Sequence, residues 1–590
     1  MSDRLPPLYP WPLEQLLDRA AAEFTLHREI FGLQSRRFFK MDPAVELGCA
    51  LGGRTVATPV GPAAGPHTQL AQNIALGWLA GARSFELKTV QILDELDIER
   101  PCIEMENVGY NIEWSQELTL EQSLDEYVKS WLLLAVLRQW EPVASLVGDP
   151  GDHAFELSVG YDLAGIRHGR MADLIRELTA AGDRIDAMRS GITGPFAALR
   201  DVPAADRIVG HATLSTFHGC PPDEIEGIVK HLMTEHALDV TVKLNPTLLG
   251  PAAVASILHE RLGYTEVKLV QDAFDQDLKF DRALALIENL TRFATDCGRE
   301  FGIKLTNTLV VANDRGIMPG PRMYLSGKPL HVLAMTLLDR LVDALPGHFR
   351  LGGEPGPVPV AFSAGIDKDN LTEAVALGLR PVTICSDLLK PGGYGRMAQG
   401  LRKLVKTMKA SGQTSLTDLV TATSAAARTA GHRDAVAAMA ARLSVPDGWT
   451  RYSREATAKP LRQVDNVLAM FECVACTNCV TVCPNDAFLS VPSGGVEGLQ
   501  AKAQYLLVAE WCNECGNCTT FCPEEGAPHL VKPRLYTDVE AWREHGAKDF
   551  LVTSTPTAGC RVSGGPGPEA SARVRALIAA ETWLTKKKPG

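Results

Sequence analysis

The chain is predicted to be an α/β protein, a closed (β/α)8 TIM barrel followed by a small cysteine-rich α+β domain. Two observations carry this. From about residue 46 to 405, short apolar runs of β-type residues alternate with longer stretches of helical period, the mark of a parallel sheet built from βα units. Nearer the C-terminus, eight of the fourteen cysteines fall into two copies of one pattern, C-x2-C-x2-C-x3-C-P.

Residues 1–45 read as a helical extension, with Leu13, Leu16, Leu17 and Ala20 at helical spacing. The barrel occupies 46–410. Its strands are expected at 85–90, 155–159, 213–216, 240–244, 268–270, 304–310, 358–363 and 381–386, with helices between them, for example over 222–236 and 280–301. Such a barrel places its chemistry on the loops at the C-terminal ends of its strands. Residues 411–465 are a connector rich in Ala and Thr, with a surface helix over 425–442. The cysteine-rich domain spans 466–535, and 536–590 form a tail whose stretch 553–570, dense in Gly, Pro, Ser and Thr, reads as a loop.

The cysteine pattern specifies iron–sulfur chemistry. Three closely spaced thiolates wrap one face of a 4Fe–4S cube and the fourth, before the proline, reaches to the other cube. Cys473, Cys476, Cys479 and Cys522 are therefore assigned to one cluster, and Cys512, Cys515, Cys518 and Cys483 to the other. Zinc sites are the alternative, but zinc ligands come as separated pairs rather than four crowded cysteines.

A formal net charge of −11 with no clustered basic face excludes nucleic acid as the main partner. The apolar runs are far shorter than a bilayer requires, and the N-terminus lacks an apolar signal core. A cytoplasmic protein is expected, with disulfides disfavoured among the remaining cysteines.

The segments at the barrel's strand ends carry a resemblance. The run from Thr58 to Gly65, containing Ala63 and Ala64, then Glu86-Leu87-Lys88-Thr89, resembles the opening of the dihydroorotate dehydrogenase and dihydropyrimidine dehydrogenase flavin barrels. There the backbone passes so close to FMN that small residues are needed. Asn111 and Glu113, within Gly109 to Ser115, resemble the pyrimidine-binding Asn-Ile-Glu segment. An amide and a carboxylate suit a ring that alternates N–H with C=O. Cys220, in His218-Gly219-Cys220-Pro221-Pro222, occupies the place of the acid–base cysteine, whose thiol serves if its pKa moves toward the working pH. His218 is a second proton carrier by position. The chain departs from the pattern at Phe217, where asparagine stands in those families, and at Gly219, where serine does.

By the same resemblance, Lys243 is the fixed cation beside the flavin N1/C2 edge. Asn307 and Thr308 complete the substrate site. Ser326 and Gly327 follow in order, and Gly365, Cys385 and Ser386 lie in the loops that receive the FMN phosphate. Lys88 lines the flavin.

A narrower resemblance covers roughly residues 1–535. The strings LSTFHGCPPDEI over 214–225, NPTLLG over 245–250 and LKPGGY over 389–394 are similar to the YgfK-type selenate reductase large-subunit family. The family's association with purine and hydantoin-type metabolism implies reduction or oxidation of a C=C or C=N bond in a cyclic amide, pyrimidine- or purine-like small molecule. The implied cofactors are FMN and two 4Fe–4S clusters. No G-x-G-x-x-G stands between a strand and a helix. Electrons are therefore expected from a separate FAD- and NAD(P)H-binding partner like the glutamate synthase small subunit, or from a ferredoxin. The alternative is an electron-transfer subunit of such a complex with no substrate of its own.

Overall fold

The computed structural model describes residues 7–93, 103–104, 110–111, 117–216, 220–458, 460–554 and 560–585, with the backbone alone at 110, 111, 560 and 585. Eight parallel strands, β1 (Val60–Pro62), β2 (Ser84–Glu86), β3 (Ala154–Val159), β4 (Val209–Ser215), β5 (Asp239–Leu244), β6 (Phe301–Leu305), β7 (Val360–Phe362) and β8 (Val382–Ile384), form one sheet. They pair in sequence order from β2 to β8, and β8 then pairs with β1. Arg83 N donates to Val60 O at 3.0 Å, which brings β1 against β2 and closes the cylinder. Gly61 permits that closure. A Cβ there would lie 1.4 Å from Ser84 O.

The strands read as apolar runs because both faces are covered; every residue of β3 is buried. Barrel helices α1 (Ala71–Leu79), α2 (Leu120–Gln139), α3 (Gly169–Thr179), α4 (Ile225–Glu235), α5 (Phe280–Asp296), α6 (Lys328–Ala344), α7 (Leu371–Ala376) and α8 (Gly395–Ala410) follow the strands in turn.

The expected strand at 268–270 is not part of the barrel; Leu269 makes only an isolated bridge to Val311. Its place in the count belongs to β1, whose Gly61 and Pro62 conceal a strand from a propensity reading. The expected strand at 304–310 is divided into β6 and Leu309–Ala312; at the break, Asn307 Nδ2 donates to Lys243 O of β5 and to Asn245 Oδ1 just beyond it. Leu309–Ala312 joins Arg322–Leu325, Ile103–Glu104 and Tyr110–Asn111 in a four-stranded sheet built from loops at the C-terminal side of the barrel.

The connector helix is two helices, Leu416–Thr429 and Ala435–Leu443, the second capped by Asp434 accepting from Ala437 N. The cysteine-rich domain extends beyond 535. Its five-stranded sheet runs Phe488–Pro492, Ala503–Val508, Arg534–Tyr536, Phe550–Ser554 and Cys560–Gly564 in order. Residues expected as a tail thus supply two strands and the helix Pro568–Leu577, whose Ser571 Oγ donates to Gly564 O at 2.8 Å. The N-terminal helix, Leu13–His27, buries Leu13, Leu16, Leu17, Ala20 and Phe24. Arg19 on it forms a buried pair with Asp486 of the cysteine-rich domain at 2.7 Å. Among the described residues, no helix is long and apolar enough to cross a membrane.

Candidate functional site

Three charged side chains meet inside the barrel at the C-terminal end of its strands. Glu86, the last residue of β2, and Lys304 of β6 are both fully buried, with Lys304 Nζ 2.8 Å from Glu86 Oε2. Oε2 also accepts from Ala64 N at 2.9 Å, which ties the carboxylate to the segment after β1. Lys243 Nζ of β5 lies 3.8 Å from Oε1, an oxygen with no hydrogen bond. Burial pushes the Glu86 carboxyl up, but the ammonium groups of Lys243 and Lys304 outweigh it and hold its pKa at about 2. Lys243 is the more exposed lysine, 13% against 0%, so the cation nearer the mouth is Lys243.

Beside this group, Asn307 Nδ2 donates to Asn245 Oδ1 at 2.6 Å and to Lys243 O at 3.2 Å. Asn245 Nδ2 donates to Asp277 Oδ2 at 2.7 Å. Thr216 Oγ1 donates to Lys243 O at 2.6 Å, joining the end of β4 to β5. Cys220 is buried, and Asp277 is among the acids acting on it. Burial first, then Glu224, Asp277 and Asp162, push its thiol up to about 12. The surroundings therefore move this pKa away from neutrality, and Cys220 stays protonated.

Asn111 pairs through its backbone with Ile103 in the four-stranded sheet. Thr308, half-buried, directly precedes the strand Leu309–Ala312 of that sheet. One sheet thus joins two of the expected substrate segments. Glu113 and residues 217–219 lie outside the described residues.

The loops after β6, β7 and β8 converge. Ser326 Oγ stands 3.0 Å from Ser386 Oγ. Gly327 caps α6, and Gly365 packs on it with φ +57; a Cβ on Gly365 would lie 2.6 Å from Gly327 O. Gly65 brings the first loop near Cys385, whose Sγ would be 3.5 Å from a Cβ there. His331 of α6 stacks on Tyr452 at 4.8 Å and meets Ala364 O through Nδ1 at 3.1 Å, holding the β7 loop against the connector. A helix start and small residues at one point form a cradle of the kind that receives a phosphate. Ala63, Ala64 and Gly65 follow β1 directly beside it, Ala63 N donating to Ile384 O of β8 at 3.0 Å. Lys88 is buried, its Nζ on Gln69 Oε1 at 3.0 Å and Glu117 Oε2 at 2.9 Å.

The eight motif cysteines form two groups in space. Cys473, Cys476, Cys479 and Cys522 line one pocket, with Tyr505, Pro523 and Lys532. The thiols stand around its rim, and no three His, Cys, Asp or Glu side chains among the described residues close on a single ion. In the second group, burial pushes Cys483 and Cys512 up to about 12; after burial, the largest influence on Cys483 is Cys515, and on Cys512 it is Cys483. Cys518 is raised by burial and then by Cys512 and Cys483. The fourth cysteine of each motif thus stands with the first three of the other.

The second group faces the barrel. Asn517 Nδ2 donates to Leu389 O at 2.9 Å and Val482 O at 2.7 Å. Tyr394 OH donates to Pro484 O at 3.0 Å. Gln69 Nε2 donates to Asn485 Oδ1 at 3.1 Å, and Asn513 Nδ2 to Glu117 Oε1 at 3.1 Å. Sequence reasoning missed Lys304, Gln69 and Glu117. A lysine inside the apolar run FGIKL was the one available signal for Lys304.

Residues 31–435 match the family described as oxidoreductase YgfK, N-terminal TIM-barrel domain, and residues 459–527 match the 4Fe-4S dicluster domain. Two curated relatives named YgfK, from Escherichia coli K12 and O157:H7, are each 40% identical over 419 residues, covering 67% of this chain and 39% of their own. The chain spans less than half the length of these relatives. Two solved DHODH structures from Eimeria tenella, ligand-free and with ferulenol, align with TM-scores of 0.40 at 13% and 15% identity, covering 69% and 70% of this chain and 97% and 96% of theirs.

Proposed function

The chain belongs to the YgfK oxidoreductase family, and from that premise we propose that its barrel binds FMN and exchanges electrons between two 4Fe–4S clusters and a cyclic amide, pyrimidine- or purine-like substrate. The observation that carries this reading is the seam between domains. Lys88 reaches Gln69 at 3.0 Å and Gln69 reaches Asn485 at 3.1 Å, two residues past Cys483. An iron–sulfur domain seated on the mouth of a barrel puts one-electron carriers beside the place where such barrels do chemistry.

In this reading Ala63, Ala64, Gly65 and Lys88 flank the flavin, while Ser326, Gly327, Gly365, Cys385 and Ser386 hold its phosphate. The cradle fits that group: it combines the start of α6 with a glycine, Gly365, that cannot carry a side chain. FMN, when bound, accepts electrons singly and passes them in pairs. Lys243 supplies a fixed positive charge at the mouth. Asn307 presents an amide already oriented by Asn245, and it acts with Thr308, Asn111 and Glu113 on the substrate's polar edge. Cys220, its thiol pushed up to about 12, holds a proton at neutral pH and serves as the proton donor when the ring is reduced, while the direction of the reaction is set by the potentials of electron donor and substrate. The clusters use the two crossed sets of thiolates, and their electrons come from a flavoprotein that oxidises NAD(P)H or from a ferredoxin.

The test is anaerobic purification, release and identification of the flavin, an iron count, and re-oxidation of the reduced protein by a panel of pyrimidines, purines and hydantoins. FMN, two clusters and a compound that re-oxidises the protein are expected. A protein free of flavin sinks the reading; one that holds FMN but ignores the whole panel is a relay.

A further inference from the structure

We propose that Asp277, acting as a positioning residue through Asn245, fixes the Asn307 amide so that its carbonyl oxygen is the end offered to substrate, which selects rings that carry a free N–H at that point. The proposal rests on the substrate reading above and narrows it to cyclic amides with an unsubstituted ring nitrogen. Asn245 and Asn307 are both buried. Asn245 directly follows β5, and Asp277 lies on the longer connection from β5 to α5.

The orientation follows from the supply of donors. A carboxylate only accepts, whereas an amide donates at one end and accepts at the other. Asp277 Oδ2 accepts from Asn245 Nδ2 at 2.7 Å and from Thr247 Oγ1, while Oδ1 accepts from Leu278 N at 2.8 Å. The Asn245 nitrogen therefore has to face Asp277, and it also reaches Thr216 O at 3.4 Å. Asn245 Oδ1 is left toward Asn307, which can meet it only as a donor. Asn307 Nδ2 does so at 2.6 Å, and its other hydrogen goes to Lys243 O at 3.2 Å. Turning this amide over would set its oxygen against two acceptors at once.

Both hydrogens of Asn307 are thus consumed inside the protein, and Oδ1 is the end left over. It faces the end of β4, where Ser215 Oγ donates to it at 3.4 Å. An amide oxygen has two lone pairs, so one remains for a ligand. A ring N–H satisfies it. A ring oxygen or a carbonyl at the same place would set acceptor against acceptor and leave Oδ1 stranded once water is expelled.

The experiment titrates the full FMN-loaded chain with hydantoin, uracil and hypoxanthine, and with each of them after one N–H at a time is replaced by ring oxygen or N-methyl. Binding is followed by the flavin spectrum. In wild type at least one such replacement is expected to weaken binding by roughly tenfold or more, because it strands a buried acceptor. Asn307→Asp keeps an oxygen at the same place but sets a carboxylate against Asn245 Oδ1, and is expected to weaken binding of the N–H parent by about tenfold or more. Adding Asp277→Asn lets Asn245 turn its nitrogen toward position 307. The double variant is therefore expected to bind at least about threefold better than Asn307→Asp, a recovery that requires coupled neighbours.

Replaced compounds that all bind as tightly as their parents overturn the proposal, and this arm needs no variant to fold. So does a double variant that holds FMN yet binds no better than Asn307→Asp. Silence from all three parents in a wild-type chain that holds FMN fells the substrate reading, and the proposal with it; binding without preference for the N–H fells the proposal alone.

Discussion

Gln69 Nε2 donates to Asn485 Oδ1 at 3.1 Å, and the other end of each amide also has a partner: Gln69 Oε1 accepts from Lys88 Nζ at 3.0 Å, while Asn485 Nδ2 donates to Trp511 O at 3.1 Å. This buried chain aligns the first barrel loop with the cluster domain. Gln69→Ala strands Asn485 Oδ1 and removes one partner of Lys88, a loss of about 1–3 kcal/mol at the seam. Iron and flavin content are expected to hold, because neither set of thiols nor the phosphate cradle changes. Electron passage from clusters to flavin is expected to slow on the order of tenfold, since small displacements carry large rate costs. Rapid-mixing reduction by a chemical donor reads this directly, and an unchanged rate removes the amide chain from the route.

Cys220→Ala tests the proton. A buried thiol pushed up to about 12 remains protonated through the neutral range. Its removal deprives the substrate of a donor and nothing else, because Cys220 is not a cluster ligand. Turnover is expected to fall by about 10² to 10⁴, with flavin content, iron content and cluster-to-flavin transfer unaltered. Single-turnover kinetics separate the steps. Loss of cluster-to-flavin transfer instead makes the residue structural.

Legibility in the sequence followed how local the signal was. Cluster ligands are spaced within one short segment, so two repeats of the pattern declared the α+β cluster domain. Its last strands, Phe550–Ser554 and Cys560–Gly564, stayed hidden because Gly, Pro, Ser and Thr dominate around them and read as loop. β3 was visible because a fully buried parallel strand is a continuous apolar run. β1 was not, because its Gly61 serves closure and Pro62 ends it. At the site, Lys243, Asn307 and Ser386 were legible from strand-end segments in order. Lys304 and Gln69 acquire meaning only through partners 218 and 416 residues away, and periodicity carries no information at that range.

The crossed thiol sets give a sharp prediction. Cys522→Ser alters the second motif, yet Cys522 lines the space of Cys473, Cys476 and Cys479. The cluster lost or weakened should therefore be that of the first motif, removing up to roughly half the iron. Cys483→Ser should damage the cluster beside the seam and, unlike Cys522→Ser, isolate the flavin from its nearest donor. Iron counts with electron paramagnetic resonance of the reduced variants distinguish the sets. The same spectrum lost in Cys522→Ser and Cys512→Ser would mean that each motif keeps its own fourth ligand.

Three histidines shape the acid limb of stability: His67 and His331 are fully buried, and both ring nitrogens of His153 are shielded from solvent. Burial is the largest influence on each, and it lowers His67 and His153 to about 3 and His331 to about 4. In the unfolded chain each titrates near 6.5. Below that pH the unfolded chain binds protons that the folded protein refuses, so their stabilisation is complete above about 6.5 and declines as pH falls toward 4, at up to about 1.4 kcal/mol per pH unit for each histidine. His67 offers the cleanest test. Its ring is fully buried and meets Tyr394 edge-on at 5.2 Å. His67→Phe keeps an aromatic edge and discards the proton site, so the variant should lose stability less steeply between pH 6.5 and 4.5. Urea midpoints across that window, taken as the difference between wild type and variant, cancel the clusters' own response to acid. Parallel lines would mean that the His67 ring is protonated in the folded state, against its burial.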